Sequence, residues 1–182
     1  MFPIYIKYSA VEPAVSLIIP YASGKPFNPI YICENDEAIV VEGGDSIGHA
    51  RIEGARAASN EWLLMMDSDA VYPEDYVLIA KEFIREYGDK YPVMSAKRKG
   101  GFDELFTKFY ESGLIVRRDV FLERTKYYPR GLLWVGRRTD VWGYFTDNVK
   151  IDLEYYHDFT TNEKKLVSAL IIAPAIIISM LP

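Results

Sequence analysis

The sequence predicts a single α/β domain with a mainly parallel central sheet flanked by helices. Three observations carry that expectation. Short apolar runs alternate with helix-length amphipathic segments, the pattern of repeated βα units. One run, Trp62 to Met66, is five apolar residues with no polar alternation, as expected of a strand buried on both faces. A length of 182 residues supplies one sizeable core but not two.

The elements follow in order. Val15 to Ile19 reads as a buried strand stopped by Pro20, and Ile30 to Cys33 as a second, followed by the polar cluster Glu34, Asn35 and Asp36. Ala38 to Val41 is a third, ended by Gly43 and Gly44. Asp45 or Ser46 then caps a helix in which Ala50, Gly54 and Ala58 form a flat face of small side chains. His49, Glu53 and Arg56 make its opposite, polar stripe. After the Trp62 to Met66 strand, Pro73, Glu74 and Asp75 suit the first turn of a helix. Tyr76, Val77, Ala80, Phe83, Ile84 and Tyr87 give it one apolar stripe, and Gly88 ends it.

The second half is more mixed. Phe102, Leu105, Phe106 and Phe109 have helical spacing, Gly113 to Val116 reads as a strand, and Asp119 to Arg124 as a short helix. From Val149 to Phe159 apolar and polar residues alternate with period two, which predicts a strand with one buried face and puts His157 on that face.

Composition narrows the function classes. The net charge of −5, with acids and bases interspersed, argues against a nucleic-acid partner, which selects for a basic face. The one cysteine, Cys33, excludes an intrachain disulfide and fits a reducing, cytoplasmic setting. No basic segment followed by an apolar run opens the chain, so no signal peptide is expected. Leu166 to Pro182 carries no charge but is interrupted by Pro174. It is expected to pack on the protein or make a peripheral membrane contact, with Lys164 and Lys165 beside it, and not to span.

The sharpest chemical feature is Asp67-Ser68-Asp69, directly after the buried strand. Open α/β sheets bind ligands at the carboxyl ends of their strands. Two carboxylates delivered there repel each other and resist desolvation, and a divalent cation shared with a substrate phosphate resolves both problems. The bland alternative is a turn whose acids only cap the next helix. Other strand ends bring Pro20, Tyr21 and Asp36 toward the same edge. Asp36 could accept hydrogen bonds from a ribose or base edge, or simply belong to a polar turn. Arg51 lies beside the small-residue helix face and must find an anion, either a phosphate or the carboxylate of Asp67 or Asp36. A buried His157 needs a partner too; a metal is one, and a satisfied core histidine is the commoner case.

Here a resemblance enters. Val15 to Pro20 (VSLIIP), Ser46 to Arg51 (SIGHAR) and Asn60 to Ala70 (NEWLLMMDSDA) resemble the opening strand, the helix start and the metal-binding DxD strand of the GT-A glycosyltransferases, in particular family 2. Ser112 to Arg118 is similar to the strand preceding that family's acceptor region, and Thr139-Asp140 sits where the family carries Glu-Asp. The chain is short for the fold, similar in size to a minimal crenarchaeal viral member. The resemblance implies a GT-A, Rossmann-like domain over 1–182. Residues 15–96 would form the nucleotide-sugar and metal half, 97–163 the acceptor half and 164–182 an apolar tail. It implies a nucleoside-diphosphate sugar as donor, a glycan, protein or lipid hydroxyl as acceptor, and Mn²⁺ or Mg²⁺ as cofactor. Asp69 would be the first metal ligand, Asp67 would share the metal or the ribose, and His157 would complete the shell. Pro20, Tyr21, Asp36, Arg51, Asp67 and Ser68 would face the donor, and Asp140 would be the general base of an inverting transfer.

Three rival readings remain at this stage. A haloacid-dehalogenase-type phosphatase would use Asp67 as nucleophile and Asp69 as acid/base, but normally on its first strand. A pyrophosphorylase would want a Gly-rich, basic loop after the first strand, and Pro20 to Pro26 offers only Gly24 and Lys25. A non-enzymatic, membrane-associated scaffold would make no chemical use of Asp67 and Asp69.

Overall fold

The structure, a computed structural model, describes residues 1–100, 113–128, 141, 144–145 and 147–157. The helical spacing of Phe102 to Phe109, Asp140 and the apolar stretch Leu166 to Pro182 lie outside the described residues. Among those described, no helix is long and apolar enough to cross a membrane.

The strands are β1 (Ile4–Tyr8), β2 (Val15–Tyr21), β3 (Ile30–Cys33), β4 (Glu37–Glu42), β5 (Trp62–Met65), β6 (Val93–Lys99), β7 (Leu114–Arg117) and β8 (Val149–Tyr156). The helices are α1 (Ile47–Ala57), α2 (Tyr76–Tyr87) and α3 (Arg118–Arg124). Six strands form the central sheet in the order β4-β2-β5-β7-β6-β8. The β4–β2, β2–β5 and β6–β8 pairs are parallel, and β7 alone runs against both its neighbours. The carboxyl ends of β4, β2, β5, β6 and β8 therefore share one edge. This is the mixed, mostly parallel α/β sheet that the sequence predicts, drawing strands from both halves of the chain.

The apolar runs account for the centre of this sheet. The first five residues of β2 and all four of β5 are buried, which requires cover on both faces. Helix α1 supplies cover on one side. Ser46 is its N-cap, its Oγ accepting from the His49 N–H at 3.2 Å. Its small-residue face lies so close to the sheet that a Cβ on Gly54 would stand 2.5 Å from Ile18 Cγ2 and 3.3 Å from Val41 Cγ2. On the other side, Tyr76, Val77, Ala80 and Ile84 of α2 join the core around β2, β5 and β8.

Four expectations need correction. First, Ile30 to Cys33 is not a strand of the central sheet; β3 pairs in parallel with β1 as a separate two-stranded sheet. Second, β2 runs through Pro20 to Tyr21. Pro20 lies beyond the last β5 pairing at Ile18, where a missing N–H costs no ladder bond on that side. Third, α2 starts at Tyr76, so Pro73 to Asp75 form the turn before it and not its first turn. Fourth, β1 and β6 are strands that the apolar runs do not announce.

Glu37 holds the sheet's opposite edge. Its Oε1 accepts from Ser16 Oγ at 2.5 Å, Ser59 N at 2.6 Å, Ser59 Oγ at 2.9 Å and Asn60 N at 3.3 Å. Burial pushes its pKa up, but these donors outweigh burial and leave it below the usual glutamate value. A carboxyl whose folded pKa is depressed stabilises the fold above its unfolded pKa and loses that contribution as pH falls through the folded value. Glu37→Gln should therefore be less stable than wild type at pH 7, with the gap narrowing toward pH 3. Urea melts at the two pH values test this; a gap independent of pH would remove the carboxylate's role.

Candidate active site

Strand β5 hands over to Met66, also buried, and then to Asp67 at the shared carboxyl edge. The loop from Asp67 to Tyr72 is held from three sides. The Asp67 N–H donates to Tyr72 Oη at 2.8 Å. Burial, and next the charge of Asp67, pushes the Tyr72 phenol well above its usual pKa, so it stays neutral as an acceptor. Tyr72 in turn stacks on Tyr155 of β8, ring centroids 5.3 Å apart. Asn28 fastens the middle of the loop: its N–H donates to Ser68 O at 2.8 Å, and its Nδ2 donates to Asp69 O at 3.0 Å and Ala70 O at 3.1 Å. At the far end Val71 and Tyr156 exchange two backbone bonds, of 2.7 and 2.9 Å.

That last exchange positions His157. The end of β8 is fixed to the Asp67–Tyr72 loop, and the next residue brings its imidazole between the two carboxylates. His157 Nε2 stands 3.1 Å from Asp69 Oδ1 and 3.9 Å from Asp67 Oδ2. Burial alone would lower the His157 pKa; the Asp69 hydrogen bond and the Asp67 charge reverse this and raise it. From the other side Arg51, 1% exposed, donates from Nη2 to Asp67 Oδ1 at 2.8 Å. Asp67 therefore turns one oxygen to Arg51 and the other toward His157.

The sequence-predicted residues fall into three groups. Asp67, Asp69, His157 and Arg51 are brought together, Arg51 through a carboxylate as one of its two expected partners. Pro20 and Tyr21 end β2 at the same edge, and Ser68, 6% exposed, sits inside the loop. Asp36 is placed elsewhere. Its oxygens accept from Val15 N at 3.1 Å, Cys33 N at 2.9 Å and Lys81 Nζ at 2.6 Å. Val15 opens β2, so Asp36 lies at the amino edge, away from Asp67. The carboxylate that does end a central strand beside β2 is Glu42, paired in register with Tyr21. The signal for it was available: the Gly43-Gly44 break between an apolar run and a capped helix. Asn28 and Tyr72, which shape the loop, carry no such signal.

A divalent cation fits this arrangement as an open site and not as a closed cage. Among the described residues no three acidic, histidine or cysteine side chains already converge on one point, since Asp67 divides its oxygens between Arg51 and His157. Asp69 has a half-exposed carboxylate, its side chain 49% accessible. Asp67, Asp69 and His157 are the side chains that could hold such an ion, with access from solvent on the Asp69 side.

Comparison with known proteins gives a consistent result. A family profile described as glycosyl transferase family 2 matches residues 34–145. No curated protein matches the chain. Among solved structures, S. aureus TarS 1–349 in complex with UDP-GlcNAc superposes with a TM-score of 0.54 at 15% identity, covering 79% of this chain and 58% of that one. A longer S. aureus TarS structure gives 0.54 at 16% identity, covering 86% of this chain and 38% of that one. At these identities the likeness is one of fold, and the chain spans little more than half, or less, of the structures it resembles. These neighbours are bacterial, so the similarity in size to viral members gains no support from them.

Proposed function

Because the chain belongs to glycosyl transferase family 2, we propose that it moves a sugar from a nucleoside-diphosphate sugar to a hydroxyl acceptor, with Mn²⁺ or Mg²⁺ held by Asp69, Asp67 and His157. The observation that carries this reading is the meeting of two carboxylates and an imidazole, 3.1 and 3.9 Å apart, at the carboxyl edge of the sheet. The UDP-GlcNAc in the TarS complex supports a nucleotide sugar as the donor class. The phosphatase reading is disfavoured by the strand order, since β5 lies at the centre of the sheet and four strands precede it.

Each residue has a role in this reading. Asp69, with the more open carboxylate, is the first ligand. Arg51 fixes one oxygen of Asp67 and leaves the other for the ion. Pro20, Tyr21 and Ser68 line the donor side, and Glu42 replaces Asp36 as the carboxylate facing ribose or base. A cation bound here supplies Lewis-acid stabilisation of the negative charge that grows on the leaving diphosphate. Asp140, in the acceptor half, takes the proton from the attacking hydroxyl, giving inversion at the anomeric carbon.

The test is thermal stability with UDP as probe. At ~100 times its dissociation constant UDP should add ~2.7 kcal/mol of stability with Mn²⁺ present, and much less with chelator. Equal stabilisation under both conditions would sink the metal reading. Asp140→Asn should bind UDP and Mn²⁺ as wild type does while transferring ~10²-fold more slowly. Transfer at the wild-type rate would take the base role from Asp140.

A further inference from the structure

The residues around His157 hold its backbone as tightly as its ring. Its N–H donates to Lys99 O at 3.0 Å, at the end of β6. Its carbonyl oxygen accepts from Arg98 Nε at 3.1 Å. The residue before it, Tyr156, is bonded twice to Val71. The chain leaving β6 also passes very close: a Cβ on Gly100 would stand 3.0 Å from His157 O and 3.0 Å from Tyr156 Cε2, and Gly100 has φ +83°. The ends of β6 and β8 thus close on each other beside the Asp67–Tyr72 loop, with a charged side chain as one of the ties.

We infer that Arg98 is a positioning residue for His157: its guanidinium, hooked on the His157 carbonyl oxygen, fixes the backbone from which the imidazole reaches Asp67 and Asp69. The inference rests on the proposed role of His157 as a metal ligand. Groups one step behind the ligands commonly set metal affinity by orienting them, and a guanidinium–carbonyl bond is a strong, directional tie.

Charge alone makes the opposite demand. The positive charge of Arg98 pushes the His157 pKa down and repels any cation bound beside it. If Arg98 acted only through its charge, removing it would tighten cation binding. If it acts by holding His157, removing it loosens binding. The two accounts differ in sign.

The experiment measures Mn²⁺ affinity from the free-ion electron paramagnetic resonance signal. The chains compared are wild type, Arg98→Met, Arg98→Lys, His157→Ala and the double variant Arg98→Met/His157→Ala. Arg98→Met should weaken Mn²⁺ binding about 10-fold or more. Arg98→Lys, which keeps the charge but not the planar fork, should fall between it and wild type. In the His157→Ala background the Arg98 substitution should weaken binding no further. Binding that tightens or stays unchanged in Arg98→Met overturns the inference, as does an equal loss with His157 already removed. Should Arg98→Met fail to fold, Arg98→Lys alone decides: wild-type affinity there overturns it. The chain has only two histidines, so the His157 ring is readily assigned in long-range ¹⁵N–¹H spectra recorded with chelator. A wild type that binds no Mn²⁺ removes the metal reading and leaves these spectra to judge the anchor. Ring shifts that move in Arg98→Lys, which keeps the charge, support it, and shifts unchanged there overturn it.

Discussion

Replacing Asp69 with asparagine is expected to slow transfer about 10³-fold while leaving the metal-free chain about as stable as wild type. Loss of a Lewis acid at the leaving diphosphate removes several kcal/mol of transition-state stabilisation, and ~4 kcal/mol is ~10³ in rate. Stability should change little because the Asp69 side chain is half exposed and its partner His157 is a charged partner only when protonated. Asp67→Asn should cost the same activity and stability as well. Arg51 is 1% exposed and donates to Asp67 Oδ1, so that substitution takes a charged acceptor from a buried guanidinium. The measurements are nucleoside-diphosphate release from the donor and urea melts with chelator present. An Asp69→Asn chain that still transfers at near wild-type rate would remove the metal from the mechanism. Equal stabilities for the two variants would show that the Arg51 contact contributes nothing to the fold.

The strands that proved legible in the sequence are those whose burial is recorded in their own residues. β5 can be read because both of its faces are covered, and β8 because one face is covered and the other is wet. β1 has the residues of a strand but exposes three of its five, so its pairing with β3 leaves no pattern of buried positions. β6 has four buried residues followed by the charged Lys97, Arg98 and Lys99, and neither period shows. The direction of β7 was equally hidden. A run of three buried apolar residues looks the same in a parallel or an antiparallel strand, and only its pairing with β5 and β6 shows the direction.

The site shows the same division. Asp67 and Asp69 are legible because a fully apolar strand delivers them, and His157 because the alternation of β8 fixes its face. The position of Asp36 is not legible, because an apolar run followed by acids looks alike in either sheet. β3 belongs to the small sheet with β1, so its carboxyl end meets the start of β2 and not the end of β5. Asn28, Tyr72 and Arg98 act through hydrogen bonds to backbone atoms, those of Asn28 and Arg98 far away in sequence. Such contacts impose no spacing on the chain, so no pattern marks them.

Lys81 is the other residue the pattern hides, and it leads to the largest stability effect expected here. It lies on the apolar stripe of α2 between Ala80 and Ile84, and its side chain and that of Asp36 are both 0% exposed. Nζ donates to Asp36 Oδ1 at 2.6 Å and to Asn35 Oδ1 at 3.2 Å. Asp36 also accepts the N–H groups of Val15 and Cys33, so this one carboxylate ties α2 to the start of β2 and the end of β3. Removing one partner of a buried pair leaves the other charge uncompensated, at a cost of about 3–5 kcal/mol. Lys81→Met keeps the stem and deletes the charge, and should lower the urea-derived stability by about that amount. Adding Asp36→Asn to it should restore part of the loss, because the stranded charge is then gone. Recovery should be incomplete, since a single amide oxygen cannot serve both N–H groups as well as two carboxylate oxygens do. In otherwise wild-type protein the same Asp36→Asn change should destabilise, so the two substitutions are coupled with opposite signs. A Lys81→Met chain within about 1 kcal/mol of wild type, or a double variant less stable than Lys81→Met alone, would show that the pair is not what holds α2 to the amino edge of the sheet.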